Sequence, residues 1–293
     1  VRRWLTSQPI QQTVFLGPAL LVYAVVMVVP FLLGLYYSFT NWNGVSSHIG
    51  WVQLQNYKTI LTDDPDFGRS FWFTARFTVA VVAISNALGF AIAYLLSKPM
   101  KTRNVLRTVF FMPNVLGGLL LGFIWRFILT QSFPAIGQAT GIGFFKLAWL
   151  STEATAFWGL VIVSVWQGAG YLMVIYIAGL TNVPSDMLEA AAIDGATGWQ
   201  ILRTIILPLI MPAVTVCLFL SISWTFKSFD LNFSLTQGGP FKSSQSVAMN
   251  IYYEAFKNNR YGLGTAKAFI FFVVVTVITM VQVSITKKRE VEM

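Results

Sequence analysis

The sequence is short of the residues that build catalytic centres and soluble surfaces. It holds one cysteine, Cys217, and one histidine, His48. A single cysteine excludes an intrachain disulfide, and its place in an apolar run makes it a small packing residue. His48 stands in a polar loop without ligand-type neighbours, so no metal site is expected there. Charge is scarce too: 11% of the 293 residues are Asp, Glu, Lys or Arg, against about a quarter in an ordinary soluble domain. No GxxxxGK[ST] segment occurs, so nucleotide is not expected on this chain. Ser/His/Asp, Cys/His and paired-carboxylate sets are missing as well, so the chain reads as non-catalytic. No 20–50-residue repeat is evident, which excludes a solenoid or propeller.

What is abundant is apolar sequence, 56% of the chain. Crossing a bilayer takes about 20 apolar residues per helix. Six runs approach or exceed this, at residues 14–39, 70–97, 108–130, 154–181, 205–226 and 268–286. Four contain no charge, and the others hold one each, Arg76 and Arg126. The runs lack strand alternation, and lipid accepts only helices or closed barrels. An all-α membrane protein with a six-transmembrane-helix bundle follows, its transmembrane region covering 14–286, with 1–13 before it and 287–293 after it. Arg2 and Arg3 precede the first run in the manner of a signal peptide. That run is about twice a usual h-region and no clear small-residue cleavage site follows, so a retained helix is expected.

The net charge of +9 is explained by sidedness rather than by nucleic acid, which is not expected as a partner. Arg2, Arg3, Lys98, Lys101, Arg103, Arg107, Arg203, Lys287, Lys288 and Arg289 fall on one side, and the acidic run Asp63, Asp64, Asp66 on the other. Basic residues gather on the cytoplasmic side, so both termini are expected inside. Trp42, Trp51, Trp149 and Trp158 near span ends suit interfacial anchoring. Arg126, placed near the outer end of the third run, is expected to snorkel, and Arg76 to join an ion pair whose partner the sequence does not show. Gly118 and Gly122 form a GxxxG, whose ordinary meaning is close helix packing.

One connection, 182–204 between the fourth and fifth runs, is unlike the rest. Ser185 is suited to cap a short helix, Asp186 to its positive end, and Ala190–Ala192 to its middle. Gly195 should stop it, and Thr197 should cap a second helix running toward Pro208. A helix–Gly–helix element at a membrane face is shaped to be gripped by another protein.

Within this connection Glu189-Ala190-Ala191, three residues, Gly195, nine residues, Ile205, one residue and Leu207-Pro208 match the signature of permease subunits of binding-protein-dependent ABC importers. Gly50-Trp51-Val52-Gln53-Leu54-Gln55-Asn56-Tyr57 resembles the first extracytoplasmic loop of the carbohydrate-uptake branch. Phe229-Asp230 and Leu235-Thr236-Gln237-Gly238-Gly239-Pro240 resemble the exit of its fifth span. The chain is most similar to the large permease subunit of maltose-type transporters, without that subunit's extra N-terminal spans and inserted extracytoplasmic domain.

The resemblance implies that Glu189, Ala190, Ala191, Asp194, Gly195, Ile205, Leu207 and Pro208 couple the bundle to an ATPase. It implies a second homologous permease subunit, two ATPase subunits holding ATP and Mg, and an extracytoplasmic solute-binding protein, in a bacterial or archaeal cytoplasmic membrane. No cofactor is implied on this chain. Span-by-span matching implies a substrate path at Asn114, Gly118, Ser164, Gln167, Phe226, Lys227 and Asp230. Pairs 114/118 and 226/230 are spaced i,i+4, and 164/167 and 227/230 i,i+3, so each pair should share a helix face. Ser164 and Gln167 are equally suited to bond between helices. Tyr171, Tyr176, Trp166 and Trp224 offer stacking faces for sugar rings.

Lys227 and Asp230 carry charge where the maltose-type pattern prefers none. Paired, they make a structural bridge at a cavity mouth. With Lys227 facing the path instead, an acidic saccharide such as a uronic-acid oligosaccharide becomes attractive. The function implied is import of an oligosaccharide by alternating access. The alternatives are import of glycerol-phosphate, a polyol or another small solute, such as an amino acid or peptide. A secondary carrier would want Asp or Glu within the spans, and the six runs contain none.

Overall fold

The computed structural model describes residues 8–288. Arg2, Arg3 and Arg289, used above for sidedness, lie outside the described residues. Within them the chain is helical, with one isolated antiparallel bridge between Thr40 and Trp51 and no strand. Contacts divide it into two compact units. One comprises the chain up to Asp64 with Ile251–Phe271, the other Pro65–Asn250 with the chain from Phe272.

Five helices are long and apolar enough to span a bilayer: Gln12–Tyr37, Pro65–Ser97, Gly118–Thr140, Glu153–Thr181 and Tyr261–Lys287. Gly198–Leu209 and Met211–Phe226, bent by 71°, make a sixth if they are counted as one broken span. Two of the expected runs are corrected by this. The third, 108–130, is not one helix: Arg103–Phe111 passes into a 3₁₀ turn at Met112–Val115, and Leu116 and Gly117 are extended (ψ 128° and 142°) before Gly118 restarts the helix. Pro113 and the Gly117-Gly118 pair break a run that hydropathy treats as continuous. Arg126 consequently sits well inside the Gly118–Thr140 helix, exposed on this chain, rather than near a span end. In the fifth run, Ile210 leaves helical geometry (φ −91°, ψ 7°) between Pro208 and Pro212. Neither proline has an N–H to give to the preceding turn.

In the larger unit the Pro65–Ser97 and Glu153–Thr181 helices lie along each other. Phe73, Phe77, Val81, Leu160 and Val163 form one core with Leu121, Leu231 and Leu235. Leu96, Leu172, Met173, Ile177, Ile206, Ile210 and Cys217 form a second. In lipid, apolar burial gives little preference for one helix over a lipid tail, so close approach and hydrogen bonds must select the packing. Gly122 shows this, because a Cβ there would overlap Ser234. Asn86 supplies the hydrogen bonds. Its Nδ2 donates to Ser221 Oγ at 3.0 Å and its Oδ1 accepts from the Tyr176 hydroxyl at 2.7 Å. Tyr176 is thus a buried packing residue and not a sugar platform. Trp149 is likewise buried, against Phe133 and Phe144, rather than anchored at an interface. Arg76 is exposed, its guanidinium 5.5 Å from the centre of the Trp72 ring, an aromatic partner in place of the expected acid.

The smaller unit turns on a buried lysine that the sequence reading passed over. Lys267 is 0% exposed, and its Nζ lies 2.6 Å from both Asp64 Oδ2 and Glu254 Oε2. Arg260 reaches the other Glu254 oxygen at 3.3 Å. Asp64, Glu254 and Lys267 all fall outside the six apolar runs, and 188 residues of chain separate Asp64 from the π-turn Tyr253–Lys257, so no local spacing announces them. Removing one partner of a buried ion network costs about 3–5 kcal/mol, whereas replacing all of it by neutral groups is often tolerated. Lys267→Met should therefore lower the thermal unfolding midpoint in detergent. The triple variant Asp64→Asn/Glu254→Gln/Lys267→Met should regain most of the loss.

Candidate functional site: a surface helix and a polar cavity

The connection after the Glu153–Thr181 helix folds as the short helix Ser185–Ile193, then Gly198–Ile201. Its N-cap is Pro184, extended at ψ 129°, and not Ser185. Ser185 lies inside the first turn, where its hydroxyl donates to Asp186 Oδ1 at 3.2 Å. At the other end Gly195 adopts φ +77°. Its N–H donates to the Ala192 carbonyl (3.1 Å), and the Ala196 N–H to the Ala191 carbonyl (2.9 Å). This is a Schellman closure, which satisfies two carbonyls a helix end otherwise leaves open. A Cβ on Gly195 would meet nothing within 4 Å, so backbone conformation and not space demands glycine. Thr197 then caps the second helix in a box with Gln200.

The element has two faces. Val183 and Leu188 pack back onto the second core beside Ile201 and Leu207. Glu189, Ala190, Asp194 and Gly195 are exposed, as are Ile193 (86%) and Trp199 (67%). Ile205, Leu207 and Pro208 are half-buried around the π-turn Leu202–Ile206, which roots the element instead of widening its outer face.

Elsewhere in the same unit the chain lines an open cavity of about 370 Å³. Six of the seven residues expected along the path line it: Asn114, Gly118, Ser164, Gln167, Lys227 and Asp230. The seventh, Phe226, does not; it is 4% exposed and turns inward. The helix ends at Phe226, Lys227 has φ −83° and ψ 8°, Phe229 has φ −123° and ψ −59°, and a new helix starts at Asp230. The i,i+4 argument fails for 226/230 because the chain is not helical between them. It fails for 114/118 for the same reason, at Leu116–Gly117. Those two meet in the cavity through the helix break. Ser164 and Gln167 do share one face of an unbroken helix.

Gln167 takes both roles weighed for it. Its Nε2 donates to the Leu116 carbonyl at 2.8 Å, an oxygen freed by the helix break, while its side chain still borders the cavity. Trp224 forms a wall, with Tyr171 edge-on to it at 6.0 Å; both also line an adjoining recess with Asn114 and Lys227. A Cβ on Gly168 would come within 2.9 Å of the Trp224 ring, so Gly168 leaves that ring its place. Trp166 instead sets its ring edge-on to Trp125 at 5.4 Å and lines neither space. Among the described residues no ion pair joins Lys227 to Asp230; both are exposed toward the cavity. The cavity wall also takes in Phe77, from the Pro65–Ser97 helix, and Thr225 and Ser228, beside the helix break at 227–229, which carries no proline or glycine to announce it.

The sequence pattern of the family described as the binding-protein-dependent transport system inner membrane component matches residues 85–291. The chain belongs to that family. As a member it is an inner-membrane component of an ABC importer, a transport subunit. The permease is 48% identical, over 95% of its length and 94% of the relative's, to a probable starch degradation products transport system permease of Thermoanaerobacterium thermosulfurigenes. It is 34% identical, over 94% and 95%, to a multiple sugar-binding transport system permease of Streptococcus mutans. Its fold matches a chain of a bacterial ABC transporter for the acidic polysaccharide alginate at a TM-score of 0.82, with 19% identity over 98% and 99% of the two chains.

The Gln167 bond gives a structural test. Gln167→Leu removes the hydrogen bond to the exposed Leu116 carbonyl, at a cost of about 0.5–1.5 kcal/mol. A fall in the permease's thermal midpoint in detergent should report it, and Gln167→Glu, which cannot donate when ionised, should fall similarly.

Proposed function

We propose that this permease is one half of the membrane pathway of an ATP-driven importer and that its cavity is a station for an oligosaccharide. The observation that carries this is the lining itself. The Asn114, Ser164 and Gln167 side chains offer neutral hydrogen-bond groups beside the Trp224 ring. Amides and hydroxyls suit sugar hydroxyls, and an aromatic face suits the apolar face of a pyranose. Two relatives covering nearly the whole chain are named for starch degradation products and for multiple sugars, which supports the same class.

In this reading the exposed face of Ser185–Ile193, with Glu189 to Gly195, seats on an ATPase subunit. Leu188 and Val183 pass its displacement to the core. A second permease subunit and a second ATPase complete the machine, with ATP and Mg held on the ATPases and no cofactor on this chain. Closure of the ATPases switches the permease pair between inward- and outward-facing states by rigid-body motion, each state favoured by its own contacts. The coupling helix and both termini lie in the cytoplasm, and an extracytoplasmic binding protein delivers the saccharide on the other side.

The lack of a Lys227–Asp230 pair bears on substrate charge. Both ions meet the cavity, so their charges offset, and each can make a charge-assisted bond to a hydroxyl. This favours a neutral saccharide. A second reading, an acidic saccharide, draws on Lys227 being unengaged by Asp230.

Two measurements test these assignments. Gly195→Val places a β-branched residue at φ +77°, where a left-handed residue costs about 1–2 kcal/mol. Uptake by cells should be abolished while the ATPase subunits remain expressed; wild-type uptake would break the link between this loop and coupling. Lys227→Gln should reduce uptake of neutral oligosaccharides severalfold and leave a selective loss of anionic ones unobserved. A loss confined to anionic substrates would establish the acidic reading.

A further inference from the structure

Three helices of the larger unit are tied at one point inside their apolar runs. Asn86, on Pro65–Ser97, donates through Nδ2 to Ser221 Oγ on Met211–Phe226 at 3.0 Å. Its Oδ1 accepts from the Tyr176 hydroxyl on Glu153–Thr181 at 2.7 Å. The same Nδ2 reaches the Val82 carbonyl of its own helix at 2.8 Å, and the Ser221 hydroxyl donates to the Cys217 carbonyl at 2.7 Å. Both halves of the Asn86 amide are therefore engaged. Close by Tyr176, a Cβ on Gly179 would come within 2.7 Å of the Ala213 side chain, so the helices that carry Tyr176 and Ser221 approach closely there.

This clasp stands between the cavity and the root of the surface helix. On one side Thr225, in the cavity wall, donates to the Ser221 carbonyl at 2.7 Å. On the other, Tyr176 belongs to the second core with Ile206 and Ile210, against which Leu188 of the surface helix packs. The helix of Asn86 also carries polar capacity that goes unused. Ser85, and Thr78 seven residues earlier on the same face, are 0% and 4% exposed, and among the described residues neither hydroxyl has a partner. Buried hydroxyls left over within a span call for an explanation. A second arrangement of the same helices, with these hydroxyls bonded and the clasp open, supplies one. Two discrete arrangements of packed helices are what a rigid-body switch requires.

We propose that Asn86 and Tyr176 are positioning residues for energy coupling: their bonds hold three helices in the arrangement described here and part when the permease switches. The inference rests on the importer reading above. Breaking one bond alone strands a polar group in the membrane, so the clasp opens as a unit. ATP-driven closure must open it. Substrate held against Thr225 is one hydrogen bond from Ser221, close enough to offset that cost. A permease without the clasp should switch, and let its ATPases turn over, with no substrate present.

The test uses the assembled importer in proteoliposomes, with its binding protein and a malto-oligosaccharide, and compares ATP hydrolysed with sugar moved. Tyr176→Phe deletes one oxygen and keeps the ring. It should raise substrate-independent ATP hydrolysis about fivefold, the shift from one lost hydrogen bond, and raise the ATP hydrolysed per sugar moved. Asn86→Leu should do the same. Both single variants strand a partner and should lower the thermal midpoint. The double variant Asn86→Leu/Tyr176→Phe separates coupling from packing, because it removes both partners of the bond at once. Its midpoint should return toward wild type while its hydrolysis stays uncoupled from transport. Coupling that returns together with the midpoint would overturn the proposal and leave a packing role. So would wild-type levels of substrate-independent hydrolysis in both single variants. A wild-type complex that hydrolyses ATP yet moves no sugar would defeat the importer reading, and the inference with it.

Discussion

In a bilayer, each backbone N–H and C=O that a helix fails to pair must find a partner within the protein. The larger unit is arranged around the places where this chain stops being helical inside its apolar runs. At Leu116–Gly117 the freed carbonyl is taken by Gln167 from the neighbouring helix. At 227–229 the chain turns and restarts as Asp230–Leu235, packed so closely on Gly118–Phe127 that Gly122 has no room for a Cβ. Both breaks border the cavity, which Asn114 and Gly118 line from one and Lys227, Ser228 and Asp230 from the other. Its polar lining is therefore the consequence of the breaks and also what makes them tolerable.

The break at Ile210 serves a different end. It bends the chain by 71° just after the π-turn that follows the Gly195 element. The surface helix is thereby rooted in the second core through Leu188, Ile206 and Ile210, with no long flexible connection. The same core holds Leu172, Met173 and Cys217, which come from two different helices. Packed cores of this kind change by switching between arrangements and not by gradual deformation. The same logic places weight on Asn86, which holds Tyr176 and Ser221 together at the heart of that core.

Much of the site was legible because two kinds of signal survive without tertiary knowledge. Fixed spacing is one: Glu189-Ala190-Ala191 to Pro208 needs only a helix, a left-handed glycine and a second helix, all local properties, and the Schellman closure at Gly195 is what those residues make alone. Scarcity is the other: Asn114, Gln167, Lys227 and Asp230 stand out because polar groups in or beside apolar runs are costly. Helical spacing does not relate 114 to 118 or 226 to 230, because the helix breaks between each pair. Phe226, which the resemblance puts in the path, turns inward, and Tyr176 and Trp149 are interior as well.

Composition and local spacing by themselves determined that this chain is a helical membrane protein with a short helix–Gly–helix element between its fourth and fifth apolar runs. Hydropathy and capping act over a few residues, so they can be read directly. The tertiary structure alone decided that span three begins after Gly117, that Lys227 and Asp230 stay apart, and that Lys267 lies buried between Asp64 and Glu254. Each of these depends on which distant residue repairs a broken helix or neutralises a buried charge. Such partners are chosen by packing in space, which a run of apolar letters does not record.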